Sequence, residues 1–297
     1  MMMTSNTKIQ EQALLVHVKI RKWSNSKTDA GLTDAVESDN HVAPGLIRVR
    51  KTLLDTPTVK ELSKLGGKVR NNIVGKLTVP WSETGTRLLP VELIDRFEAE
   101  LSDAKARWDE LKAELGSVYN DAIKQAQAGL GDAFDEADYP NAQEILDRYS
   151  IEVEYLPLPT GGDLRVSLPQ AKLDKLRHEV EASVKSSLEK GTKQVHERVA
   201  HTLEHLVEKL DTFGVDKKSG KVVGAFRDST VENLNELAEV LPLLNITGDP
   251  ALTKTSNDLL TQLRDLDPQQ LRDDKGHRSA VADKARKIVS DLTGFYS

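Results

Sequence analysis

The chain has 297 residues, of which 30% are charged, 38% hydrophobic and only 4% aromatic, with a formal net charge of −6. This is lean for a compact apolar core and suits long helices with narrow apolar seams. The absence of cysteine excludes disulfides, zinc fingers and thiol nucleophiles, while the lack of an apolar run near the ~18 residues of a bilayer span leads us to expect a soluble, cytoplasmic protein.

Residues 12–23 alternate, with Leu14, Val16, Val18 and Ile20 on one side and Leu15, His17, Lys19 and Arg21 on the other. That pattern predicts a half-buried strand. Residues 24–45 are polar and turn-rich, with a short helix expected near Leu32–Val36. The stretch "IRVRKTLL" at 47–54 reads as a second strand. Residues 56–77 read as a short helix ended by Gly66–Gly67, and 79–90, "VPWSETGTRLLP", as a loop. Pro90 stands just before the next helix, where proline costs least.

From Val91 the period changes. Ile94, Phe97, Leu101, Ala104, Trp108, Leu111, Leu115, Val118 and Ala122 follow 3-4 spacing and predict a long helix to about Ala128 with an a/d seam. A short helix is expected at 141–149, and a β-hairpin at 151–168 around Gly161–Gly162. Pro169 opens a second long helix, 170–213, with a seam of Leu173, Leu176, Val180, Val184, Leu188, Val195, Val199, Leu203, Leu206 and Leu210. Its four-residue steps resemble an eleven-residue repeat, and Gly191 marks an expected bend. Shorter helices follow after Asp228 or Ser229, at about 250–265 and at 278–292. The expected fold is therefore mainly α. A long antiparallel, coiled-coil-like helical hairpin (91–213) would lie between an N-terminal strand and loop region (1–90) and a C-terminal helical region (214–297), with a small β module.

The stretch "HERVAHTLEH" contains H-x-x-E-H at His201, Glu204 and His205, the spacing of an inverted zinc-protease motif. At 100° per residue, however, both histidines fall on the face opposite the Val195–Leu210 seam, among Glu197, Glu204 and Glu208. A catalytic zinc needs a third ligand and a dry cleft, so surface histidines are the expectation and a metal-dependent hydrolase the remote alternative.

Charge is uneven. Residues 1–90 hold 14 basic and 8 acidic residues, and the excess lies within 44–76, which holds eight basic residues against two acidic. Arg48, Arg50, Lys51, Lys68 and Arg70 are the candidate contacts there. They would meet either acidic helical surface or nucleic acid, though the aromatic interleaving of a single-strand binder is missing. Trp23 and Trp81 each begin a polar loop; packing onto the base of the helical stalk is the first expectation for them, and anchoring a partner the alternative. Arg165 is a further candidate on the expected hairpin. The sequence has neither a phosphate-binding G-x-x-x-x-G-K-[ST] loop nor a G-x-S-x-G elbow, so no catalytic or cofactor-binding residue is predicted.

Three phrases resemble a family of phage and prophage proteins grouped as a domain of unknown function. They are "IRKWSNSKTD" at 20–29, "VPWSETGTRLLPVELIDRFEAEL" at 79–101 and "ADYPNAQEILDRYSIEVEYLPLPTGGDLRV" at 137–166. The resemblance implies a phage context in the host cytoplasm, a helical body with a small β part, and an AAA-type ATPase or adaptor protein as a partner. It carries over no catalytic residue. Together these features lead us to expect a non-enzymatic interaction or scaffold protein that self-associates through its seams. The alternative is nucleic-acid binding in phage replication or recombination.

Overall fold

In the computed structural model, described over residues 9–164, 166–215, 222–224 and 226–294, the alternating N-terminal stretch forms β1, Ala13–Arg21. It is followed by β2 (Ser26–Thr28), α1 (Ala30–Asp39), β3 (Arg50–Thr52) and α2 (Pro57–Lys68). The chain continues through a π-helical turn, Val69–Val74, and a helical turn, Gly75–Leu77, into β4 (Val79–Pro80) and β5 (Arg87–Pro90). Next come the long helix α3 (Ile94–Leu130), α4 (Ala142–Asp147), β6 (Ser150–Leu156) and the second long helix, α5 (Gln170–Thr212). The small strands β7 (Gly214–Val215) and β8 (Val222–Val223) precede α6 (Asp228–Leu244), α7 (Pro250–Gln262), α8 (Pro268–Asp273) and α9 (Lys275–Gly294). The class is thus mainly helical, with two long helices, a small antiparallel sheet and short C-terminal helices.

Helix starts follow their local chemistry. Thr56, Asn141, Asp249 and Asp267 each cap a following helix through a side-chain oxygen, and Pro57, Pro250 and Pro268 stand in the first turn. These caps satisfy amides that have no partner within the helix, at positions where proline removes no needed donor. Residues 79–90, expected to be a loop, supply two strands of the sheet, which runs in the order β4-β5-β1-β6. Leu14 faces Leu89 and Val79 faces Leu88 across antiparallel pairs.

The chain divides into two compact units, one formed by Val18–Val74 and Arg96–Glu154, the other by Met1–His17, Gly75–Asp95 and Tyr155–Ser297. In the first, α3 buries Phe97, Leu101, Ala104, Trp108, Leu111, Leu115, Tyr119 and Ala122. The seam drifts by one position near its end. Val118 is exposed and Tyr119 is buried, because a straight helix turns every 3.6 residues and leaves a strict heptad line. The Tyr119 hydroxyl donates to the Pro140 carbonyl at 2.7 Å. Trp108 sits against Gly66 of α2 and has Tyr149 at 6.1 Å between ring centroids. The α-helical run ends at Lys68, one residue beyond the expected stop at Gly66–Gly67, and the chain passes directly into the π-helical turn.

The second unit is built on α5, whose buried residues Val195, Val199, Leu203, Leu206 and Leu210 pack chiefly along α9, with further contact from α6. Val281, Ala282, Ala285, Ile288 and Leu292 are the buried residues of α9. The second half of the α5 seam is therefore filled within its own unit, while Leu173, Leu176, Val180 and Leu188 of its first half are half-buried.

Two further expectations are corrected here. The 151–168 hairpin is a single strand, β6, followed by a 3-10 turn at Gly161–Asp163. Pro157 and Pro159 offer no amide hydrogen with which to begin a return strand. Gly191 marks no bend, since α5 is continuous across it. A Cβ there would lie 2.7 Å from the Pro80 carbonyl oxygen and 2.8 Å from Val79, so the glycine admits β4 against the helix. Gly191→Ala should therefore lower stability by about 1–3 kcal/mol in denaturant titration, and Gly191→Val by more, because the nearest obstructing atom is the Pro80 backbone carbonyl oxygen, which cannot swing aside.

Candidate functional site

The five basic candidates divide. Arg48, Arg50, Lys68 and Arg70 are exposed, whereas Lys51 is withdrawn against acidic side chains of its own chain and is not available to a partner. Its ammonium lies 2.9 Å from Asp138 and 3.5 Å from Asp29, donates to the Ala133 carbonyl at 2.6 Å, and its side chain is 8% exposed. The Asp138 carboxylate has no exposed surface and also binds Lys27. Burial works against its ionisation, but the two ammonium groups outweigh that and hold its carboxyl below the ordinary range.

Trp23 is likewise not available to a partner. It is buried in the first unit, and the loop that follows is clamped by Asn25, which bonds both the amide and the carbonyl of Leu54. Trp81 is half-buried and forms one wall of a small, shallow cleft, with Pro80, Leu188, Thr192, Ile246 and Thr247 also lining it. Arg165 lies outside the described residues.

The H-x-x-E-H histidines are exposed on α5, on the side away from its buried seam. Their rings are nearly parallel, with a 6.5 Å centroid separation. Among the described residues no group of three or more histidine, aspartate or glutamate side chains is placed to hold a metal ion.

Sequence reading missed two polar clusters of the second unit. His196, within the same quoted stretch, is buried, and its Nε2 lies 3.4 Å from Asp249, the cap of α7. It sits at the flank of the seam, and the Asp249-Pro250 helix-start signal was the only hint of its partner. Burial pushes the His196 imidazole below its ordinary 6.5, against the opposing pull of Asp249. Between its folded value and 6.5 the unfolded chain binds more protons, so stability should fall as pH drops below 6.5 and level off above it. Denaturant titrations at pH 5 and pH 7 check this, and His196→Gln should flatten that part of the dependence.

The second cluster surrounds the end of the helical turn at Gly75–Leu77. Arg198 donates to the Gly75 and Lys76 carbonyls at 3.0 and 2.9 Å, while Arg87 donates to the hydroxyl and carbonyl of Thr78. Lys76 binds Glu236 and Asn233. Burial and the neighbouring Arg198 charge bring the Arg87 guanidinium down to about 10. Both guanidiniums satisfy terminal carbonyls, which gives them a structural role.

The clearest surface for a partner is the first half of α5. Val184 is buried, but Leu173, Leu176, Val180 and Leu188 are only half-buried, unlike their counterparts beyond Val195. The 3-10 turn at Gly161–Asp163 touches this half near Arg177 and Glu181. Nearby in sequence, Tyr155, Leu156 and Val166 are exposed.

No family model matches the chain, and neither a curated protein nor a solved structure matches it. Among the described residues, no helix is long and apolar enough to cross a membrane.

Proposed function

We propose that the protein works by interaction rather than by chemistry, and that its first partner is a second copy of the same chain. The observation that carries this reading is the asymmetry of α5. Its second half is sealed by α9, whereas Leu173, Leu176, Val180 and Leu188 continue the seam only half covered. A second α5 of the same pattern would complete the burial.

Charge favours a copy over a strongly charged partner. Residues 170–190 hold five basic and four acidic residues, and Asp174–Arg177, Lys175–Glu179 and Lys185–Glu189 are paired within the helix. No single-sign field opposes self-pairing. Light scattering at micromolar concentration should read a mass above the 32.9 kDa of one chain; a strict monomer would remove the proposal.

Nucleic-acid binding is the second reading, supported by exposed Arg48, Arg50, Lys68 and Arg70 but weakened by the burial of Lys51. It requires retention of DNA or RNA that declines steeply with salt.

A further inference from the structure

His201 and His205 take no part in the seam, the α9 interface or any polar cluster described above. We propose that they form an open two-histidine site on α5 for a borderline divalent transition-metal ion such as Cu²⁺ or Zn²⁺.

The argument begins with spacing. Residues four apart on a helix project together, and here the two imidazole planes are within 4° of parallel, with centroids 6.5 Å apart. Both side chains are exposed, so turning the rings toward a shared ion displaces water and disturbs no core packing. Because the nitrogen lone pairs lie in the ring planes, the parallel rings do not yet converge, and binding requires χ rotations that turn one nitrogen edge of each ring toward a shared ion at about 2.0–2.1 Å. The Nδ1 of His205 lies 3.8 Å from a Glu208 carboxylate oxygen. That leaves Nε2 as the ring nitrogen free to ligate an ion.

Glu197, Glu204 and Glu208 are exposed on the same side and add negative potential. Each neutral imidazole donates a lone pair. Water fills the remaining positions, since among the described residues no third protein ligand converges. Such a site is a docking point for a cation, not the enclosed centre of a zinc hydrolase. It is independent of the self-association proposed above, because it lies away from the buried seam.

Cu²⁺ titration of the full chain tests this, followed by calorimetry and electron paramagnetic resonance. The expected result is one equivalent bound in the micromolar range with two imidazole nitrogens in the spectrum. His201→Ala or His205→Ala should each weaken binding by about tenfold or more, since one tethered ligand raises the effective concentration of the other, and should leave one nitrogen. His178→Ala, at another exposed histidine of α5, should change nothing. Both substitutions are at solvent-facing positions, and circular dichroism checks that the helix persists. Wild-type binding no tighter than that of the double variant would overturn the site, as would a spectrum without two nitrogens.

Discussion

Replacing Trp108 by alanine should lower stability by about 3–5 kcal/mol, read as a shift of the denaturation midpoint without a change in slope. The residue is 1% exposed and lies at the middle of the α3 seam. Its ring occupies the space that Gly66 leaves, so nothing on the α2 side can collapse into the cavity except backbone. Tyr149, on the other side, is held with its own ring buried. A conservative Trp108→Phe should cost less, because it keeps part of the contact with Gly66. Gly66→Ala should change stability little, since its Cβ would meet the Trp108 ring and Ile20 at 3.4 Å, an ordinary van der Waals contact.

The second large effect is expected at Asp138. Lys27 and Lys51 face one another directly across the β2–β3 pair, an arrangement of like charges that destabilises a ribbon. Asp138 binds both ammonium groups and reverses that repulsion. Asp138→Asn keeps the shape, removes the charge and leaves the withdrawn Lys51 with Asp29 alone among carboxylates. Breaking a buried pair in this way costs about 3–5 kcal/mol at neutral pH.

The dependence on pH has a definite sign. Because the Asp138 carboxyl titrates below its ordinary 3.8, its contribution is complete above that value and disappears as pH falls through the lower, folded one. The gap between wild type and variant should therefore close in strong acid. At the alkaline end, hydrogen bonding to Asp138 holds the Lys51 ammonium above its ordinary 10.5, against the opposing effect of burial. Its contribution persists below 10.5 and is lost as pH rises through the raised value.

The two effects show what was legible in the sequence. The 3-4 spacing located α3, Trp108 included, because a helix that buries one stripe must repeat that stripe in its residues. The same reasoning put His201 and His205 on the outer face of α5. The sequence offers Lys51 either acidic surface or nucleic acid and cannot name its partner, because the carboxylate that withdraws it lies 87 positions away and leaves no local signature. His196 and Asp249 stayed hidden for the same reason, as did the pairing of β4 and β5, whose short strands are fixed by partners rather than by their own pattern. Gly191 reads as a bend, yet it is a close approach of β4 to a continuous α5.

The account stands on a second copy covering Leu173, Leu176 and Val180. The absence of cysteine allows a single spin label at exposed Ser183, introduced as Ser183→Cys, without other substitutions. Dipolar spectroscopy should then show a short distance between labels on different chains, since packed helix axes lie about 8–10 Å apart. The signal should vanish when Leu176→Glu is added. A decay with no distance between chains at concentrations where light scattering is performed would contradict the account.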